Sequence, residues 1–467
     1  MQATAIEGVA RVRPVRIYVT GFYSWRNKGD AALLLTLDRE LRHLLPGAEI
    51  RCSSKTPDED EQRLGVPFVA QRLTGRGLPG RILVSHFLRR RLGRPGAACA
   101  AVAVTALMSG LAALGRLVRD VGGRRSALGR LLPPGSLGRL ADDIAWADVV
   151  LAAPGGYLLA PSPADVGWQY TAAPLLLAGA LGKPVVMAHC SLGPFSGVQR
   201  HTGRAVVRSS RLLVTREHFS TELALGLGAP ANTVVTATDL AWLFDRSQAS
   251  LREHWPDPVP GPPVNGVGPL VAVSVRSYDL AGDPRPDRAA QRYRQAVART
   301  VDHVVRAHRA RVVFVPHSVA GRESDLEVSR AIHNMMAEAG SATVLEADLS
   351  PAALQDVYAA CEIVIATRAH AAILALACGT PVVAISYGPK TTGLMADLGL
   401  ERFVVPIDAV TDELLIERAS EVLAELDLVR QQIGNGLPEM RLRASRGMAE
   451  LVEAITAAAP MGGRAAE

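Results

Sequence analysis

The segment Ile363–Leu400 reads IVIATRAHAAILALACGTPVVAISYGPKTTGLMADLGL. It opens with an apolar, β-branched run, Ile363–Ala366, and passes through Thr367-Arg368-Ala369-His370. It then enters the small-residue stretch Ala371–Ala377, which has the length of a short helix. Gly379-Thr380-Pro381 ends that helix, a second apolar run follows at Val382–Ile385, and Tyr387-Gly388-Pro389-Lys390 comes next. Strand, helix and strand in this order make a βαβ unit with parallel strands. Arg368, His370, Tyr387 and Lys390 then all fall at strand C-termini. Arg368 and His370 also sit at a helix N-terminus, where free N–H groups and the dipole favour anions.

The same alternation extends outward. Strands are expected at Leu270–Val275 and Val312–Val315, with helices near Ala289–His308, Ser324–Glu338 and Ala352–Ala360. Arg276 and His317 follow two of these strands and project to the same edge. Nearer the N-terminus, strands at Arg16–Thr20, around Ile50, and at Asp148–Ala153, Val185–Ala188, Leu212–Thr215 and Val234–Thr236 alternate with helices at about Asp30–His43, Thr171–Leu181 and Ser220–Leu227. Between the two sets, Asp245–Pro269 carries six prolines and no periodicity. The pattern predicts an α/β protein of two Rossmann-like, doubly wound domains facing a cleft. Residues 1–245 form the first domain, 246–269 a linker, and 270–467 the second, with the last helices free to pack back on the first.

A chain of 467 residues and 49.5 kDa accommodates two such domains, and 48% hydrophobic with 21% charged residues supplies ordinary cores. The five cysteines are odd in number and dispersed, with no C-x-x-C pair, which argues against a zinc site or a disulfide framework and for a reduced, cytoplasmic compartment. No apolar h-region precedes the first strand, so a secretory signal is not expected.

Charge is unevenly placed. Thirteen arginines and a single acid, Asp120, lie between Gln71 and Leu140, a local excess of twelve, so the remainder of a chain with net charge +6 sums to −6. The basic character belongs to one insertion, at about 72–140, and does not indicate a nucleic-acid binder. Within it the uncharged stretch Pro95–Gly115 is long enough to span a bilayer. A single crossing would, however, split one sheet across the membrane. Two readings stay open: an Ala-rich hairpin packed on the domain, or an interfacial element whose arginines meet anionic lipid on the inner face of the membrane.

In the first domain the turn Gly21–Asp30, GFYSWRNKGD, offers Asn27, Lys28, Gly29 and Asp30 as cap or ligand-facing residues. It is neither a dinucleotide fingerprint nor a Walker loop. Gly155-Gly156-Tyr157 ends a strand where backbone N–H groups can approach an anion, or simply makes a tight turn. Arg216 follows another strand and reads as an anion clamp or as a structural partner of a carboxylate.

With these residues in place, the chain resembles the polysaccharide pyruvyl transferases. The matching elements, in order, are Asn27-x-Gly29-Asp30, Gly155-Gly156, Arg216 with Ser220 and Leu223, Asp239, Arg276, and above all Thr367-Arg368-x-His370 with Tyr387-x-x-Lys390. The long insertion departs from the pattern, as does Ala369 where a larger apolar residue is usual. The resemblance implies a glycosyltransferase-B-like fold. It also implies transfer of pyruvate from phosphoenolpyruvate to two hydroxyls of a sugar in a polysaccharide or glycolipid, giving a cyclic ketal and phosphate. On that view Arg216, Arg276, Arg368, Lys390 and Tyr387 bind the donor, His370 moves protons beside Arg368, and His317 is the reserve for that role. Asn27, Lys28, Gly29, Asp30, Gly155, Gly156 and Tyr157 face the acceptor, which is lipid-linked if the insertion is interfacial. No metal or other cofactor is expected. A nucleotide-sugar glycosyltransferase and a catalytically silent, membrane-associated assembly partner are the alternatives.

Overall fold

The computed structural model describes residues 13–70, 136–161, 168–247, 268–278, 286–319 and 324–458. Nearly all of the Arg-rich insertion and most of the Pro-rich linker lie outside these residues, and so do the expectations attached to them.

Two parallel sheets organise the chain. The first contains β1 (Arg16–Thr20), β2 (Glu49–Ser54), β3 (Phe68–Ala70), β4 (Val149–Ala152), β5 (Gly155–Ala160), β6 (Val185–Phe195), β7 (Leu212–Thr215) and β8 (Val234–Thr236). Its order is β3-β2-β1-β4-β6-β7-β8, with β5 also paired to β6. The second contains β9 (Leu270–Ser274), β10 (Arg311–Phe314), β11 (Ala342–Val344), β12 (Ile363–Ala366), β13 (Val382–Ser386) and β14 (Val404–Pro406), ordered β11-β10-β9-β12-β13-β14. Relative to its first strand, that is the 3-2-1-4-5-6 order of a Rossmann sheet, with its switch point between β9 and β12. The central strands are buried throughout and apolar except for Ser274, as strands covered by helices on both faces must be.

Two of the differences from the sequence expectation bear on the site. Gly155-Gly156-Tyr157 opens strand β5 and is not a turn, and β6 runs on past Ala188 to Phe195 to receive it. The cause is local. Gly155 has φ +138°, and a Cβ there would lie 2.5 Å from the Tyr157 ring, so glycine lets the chain leave β4 and re-enter the sheet at once. The helix after β12 begins at Ala369, not Ala371, which makes Arg368 its cap residue and places His370 within its first turn.

The halves are packed on each other. One hydrophobic cluster runs through both, and the final helix, Leu426–Thr456, returns to pack against β6, β7 and the 3-10 turn Leu240–Leu243 of the first half. At the cleft, Asn27 forms an antiparallel bridge with Ser318, and Lys28 N–H donates to the His317 carbonyl at 2.9 Å.

Candidate active site

The loop after β1 supplies the first wall. Asn27 caps the helix Lys28–Leu44 through its side-chain oxygen, which accepts from the N–H groups of Gly29 and Asp30. That cap aims the helix N-terminus across the cleft at the N-terminus of Ala369–Ala377. The approach is extremely close: a Cβ on Gly29 would lie 2.1 Å from His370 Nδ1. Glycine is required here by proximity.

Asp239, after β8, is the centre of the site. Its Oδ2 accepts from Arg216 Nη1 at 2.7 Å and lies 3.5 Å from His370 Nε2 and 3.9 Å from Lys390 Nζ. Arg216 is itself buried, donates through Nε to Ser191 Oγ at 2.6 Å, and approaches Glu217 at 3.5 Å. A Cβ on Gly156 would stand 3.1 Å from Arg216 Nη2, so the Gly-Gly pair gives the guanidinium its room. On the other side Tyr157 hydrogen-bonds Asp30.

This crowding of charge in a dry cleft sets the protonation states. Burial works to raise the Asp239 carboxyl, but Arg216, then His370 and Lys390, hold it well below the usual carboxylate range. Burial, reinforced by Lys390, pushes His370 down to about 4. Burial and the neighbouring Arg216 lower Lys390 to about 8, and burial raises Asp30 to about 6 against the pull of Tyr157, Lys390, Arg368 and Arg216. At neutral pH His370 is therefore a neutral imidazole and Lys390 a mostly protonated, easily deprotonated ammonium. At 3.5 Å the contact of His370 with Asp239 is too long for a good hydrogen bond, and Nε2 has no other partner among the described residues.

A second cluster abuts the first. Arg368 makes a two-pronged pair with the fully buried Asp325, Nη2 to Oδ1 at 2.6 Å and Nε to Oδ2 at 2.9 Å. Asp325 also accepts from the backbone N–H groups of His317 and Ser318. His317 Nε2 meets Tyr358 Oη at 2.5 Å, while its Nδ1 is buried with no partner among the described residues. Burial, then the charges of Arg368, His370 and Lys28, push His317 well below its ordinary value. Lys28, also buried and lowered to about 8, reaches across the cleft to Asp348 at 2.5 Å and lies 4.5 Å from the Trp25 ring centroid.

The structure thus brings together most of the residues expected from sequence. Arg216, His370 and Lys390 converge on Asp239, with Asp30, Tyr157, Gly29 and Gly156 around them. Arg368 stands next to this group with its guanidinium engaged by Asp325. Arg276 lies over the Tyr387 ring at 4.5 Å, on the more exposed rim. Sequence reasoning passed over Asp325, Tyr358, Asp348 and Ser191. The only available signal was Asp325 opening a helix right after a strand and loop, which reads as an ordinary first-turn acid. Among the described residues no group of three or more His, Cys, Asp or Glu is placed to hold a metal ion.

A small cavity opens beside this centre. Its volume is about 180 Å³, and its charged lining is Arg216, Lys390 and Arg443 with Glu217, Asp239 and Asp397, against a wall that includes Trp242.

Two Rossmann-like sheets facing a cleft define a glycosyltransferase-B-like fold. Solved structures of similar architecture include a UDP-GlcNAc 2-epimerase from Neisseria meningitidis bound to UDP-GlcNAc (TM-score 0.56, 9% identity, 95% of this chain and 100% of that one). Another is Anabaena HepE in complex with UDP and glucose (TM-score 0.54, 13% identity, 95% and 100%). At these identities the likeness is one of fold. The chain belongs to the polysaccharide pyruvyl transferase family, whose model matches residues 27–389. It is 26% identical over 285 residues to the amylovoran biosynthesis protein AmsJ of Erwinia amylovora, a match spanning 58% of this chain and 66%, just under two thirds, of AmsJ.

Proposed function

We propose that the protein transfers pyruvate from phosphoenolpyruvate to two hydroxyls of a sugar in a polysaccharide or its glycolipid precursor. The carrying observation is the convergence of Arg216, Lys390 and His370 on one point at the cleft, with Arg368 adjacent. Phosphate and carboxylate on one small molecule call for several fixed cations, and guanidinium groups match either oxyanion in two-pronged fashion. The cavity of about 180 Å³ suits a small dianion better than a nucleotide sugar, which needs roughly 300 Å³ or more. Family membership and the relationship to an amylovoran biosynthesis protein support the same reading.

The protonation states suggest a division of labour. Lys390, at about 8, delivers a proton to the methylene carbon of the donor, and neutral His370 takes the proton of the first sugar hydroxyl as its oxygen bonds to the adjacent carbon. Phosphate then leaves with the bonding electron pair and takes the proton held by His370, which returns to the neutral imidazole. The second hydroxyl adds at the same carbon and gives up its proton to the now neutral Lys390, closing the ketal. Asp239 keeps Arg216, His370 and Lys390 in register until the donor arrives and then yields part of their charge to the incoming anion. No metal is needed for these steps.

The test is calorimetry with phosphoenolpyruvate and with a UDP-sugar, followed by phosphate release in the presence of cell-derived glycans and a search for the pyruvyl mass increment. Heat with the UDP-sugar alone would overturn the assignment of donor. We further propose that the Arg-rich insertion brings the enzyme to an anionic membrane surface on the cytoplasmic side, where a lipid-linked acceptor would be found. No helix among the described residues is long and apolar enough to cross a membrane.

A further inference from the structure

A second, larger cavity of about 510 Å³ lies at the seam of the two halves, away from the catalytic cluster. Its walls come from five separated places: Arg39 of the first helix, Trp242–Arg246 after the last strand of the first sheet, Gln355, the helix end Ala377-Cys378, and Arg441 of the final helix. His370 stands in the first turn of the helix whose other end, Ala377, reaches this cavity, roughly 10 Å further along the axis. Trp242 lines both cavities and so forms a shared wall.

The chemistry of the lining is one-sided. Three arginines face one acid, Asp245, whose Oδ1 caps the Ser247 N–H at 2.9 Å. Arg39 is paired with Glu40 and also donates to the Leu243 carbonyl, and Arg246 pairs with Asp356 at 3.1 Å. Arg441 donates through Nη2 to the Ala377 carbonyl at 3.3 Å, and its charge acts on Asp245. Gln355 is 2% exposed, and its Nε2 donates to the Leu374 carbonyl. Its Oε1 has no donor among the described residues, and a buried acceptor left unpaired is costly unless something fills it. The site therefore sets three arginines against one lining acid, with a carboxamide oxygen that has no donor among the described residues, in a volume of the ordinary small-molecule class.

We propose that this seam cavity binds a hydroxylated oxyanion of monosaccharide size, an acidic or phosphorylated sugar, distinct from the donor and acceptor at the catalytic cleft. The anion meets Arg441, with Arg39 and Arg246 beside it, and a hydroxyl donates to Gln355 Oε1. Because Arg39 and Trp242–Arg246 belong to the first half and Gln355 and Cys378 to the second, the ligand braces the two halves against each other.

Calorimetry on the full-length chain tests this with glucuronate and glucose 6-phosphate as carboxylate and phosphate probes, and glucose as the uncharged control. The expected result is that at least one charged probe binds while glucose binds at least tenfold more weakly. Arg441→Gln and Gln355→Leu, each checked for a normal melting transition, should weaken binding of that probe at least tenfold, whereas Lys390→Gln in the catalytic cavity should leave it unchanged. If Arg441→Gln does not fold, Gln355→Leu carries the decision. Absence of binding by both probes, binding indifferent to the seam variant, or binding lost in Lys390→Gln would each overturn the proposal.

Discussion

Replacing Gly29 by alanine separates a helical effect from a cleft effect by its sign. Gly29 is the second residue of a helix and lies outside the left-handed region, so on local grounds alanine should be tolerated, stabilising by up to ~1 kcal/mol. Across the cleft, the new methyl would stand 2.1 Å from His370 Nδ1, 2.5 Å from Cγ and 2.7 Å from Cβ. Ordinary contact requires about 3.5 Å or more, so the imidazole or the whole helix Ala369–Ala377 must retreat by more than about 1 Å. Overpacking of this kind costs about 1–3 kcal/mol, and a displacement of about 1 Å at a catalytic group costs about a hundredfold in rate. The expected Gly29→Ala enzyme is therefore less stable in urea titration and turns over about a hundredfold more slowly. His370→Ala removes two of the three clashing atoms, so adding Gly29→Ala to that background should cost distinctly less stability than in the wild type. A Gly29→Ala protein that is more stable than wild type and fully active would refute the closed geometry of the cleft and the placement of His370.

Other outcomes follow from the same map. Lys390 must be charged to act, so kcat/KM should fall as pH rises through about 8, and Lys390→Arg, slow but always protonated, should lose that basic limb. His370 is depressed to about 4 from an ordinary 6.5, so below 6.5 the unfolded chain takes up a proton that the folded one refuses. Its contribution to stability should be intact above 6.5 and fall away towards 4, and His370→Gln should flatten that part of a stability–pH curve measured by denaturant. Arg368→Ala would strand the buried Asp325 carboxylate and should destabilise the fold by about 3–5 kcal/mol, read as a lower urea midpoint. Arg368→Ala with a wild-type midpoint would show that the pair is dispensable. Deletion of Gly75–Gly138 should abolish co-sedimentation with anionic vesicles and leave phosphoenolpyruvate binding intact, whereas equal sedimentation of both proteins would leave only the packed-hairpin role.

How much of the fold and the site is legible in the sequence depends on the range of the physics involved. The strands and the edge they present are local: IVIA followed by Thr-Arg-Ala-His, and VVAIS followed by Tyr-Gly-Pro-Lys, show their period and their punctuation within a few residues. That is why the sequence pattern alone places Arg368, His370 and Lys390 at strand ends. What each cation faces is not local. Arg216 and Arg368 are both arginines just past parallel strands, yet the first is held by Asp239, 23 residues away, and the second by Asp325, 43 residues away. Nothing in either neighbourhood distinguishes a guanidinium held by Asp239 at the edge of a small cavity from one held on two edges by Asp325.

The distinction changes what Arg368 does. A guanidinium pinned on two edges by Asp325, whose carboxylate also holds the His317 and Ser318 amides, is a strut that fixes the loop after β10 against the helix Ala369–Ala377. That loop carries the bridge to Asn27 and the carbonyl that receives the Lys28 amide, so the strut sets how far the first-half helix can enter the cleft. The Gly29–His370 approach is the end of that chain of contacts. On the proposed function, Arg368 would serve the site by holding His370 and Gly29 in register, while Arg216 and Lys390, gathered on Asp239, would pass from that carboxylate to the incoming donor.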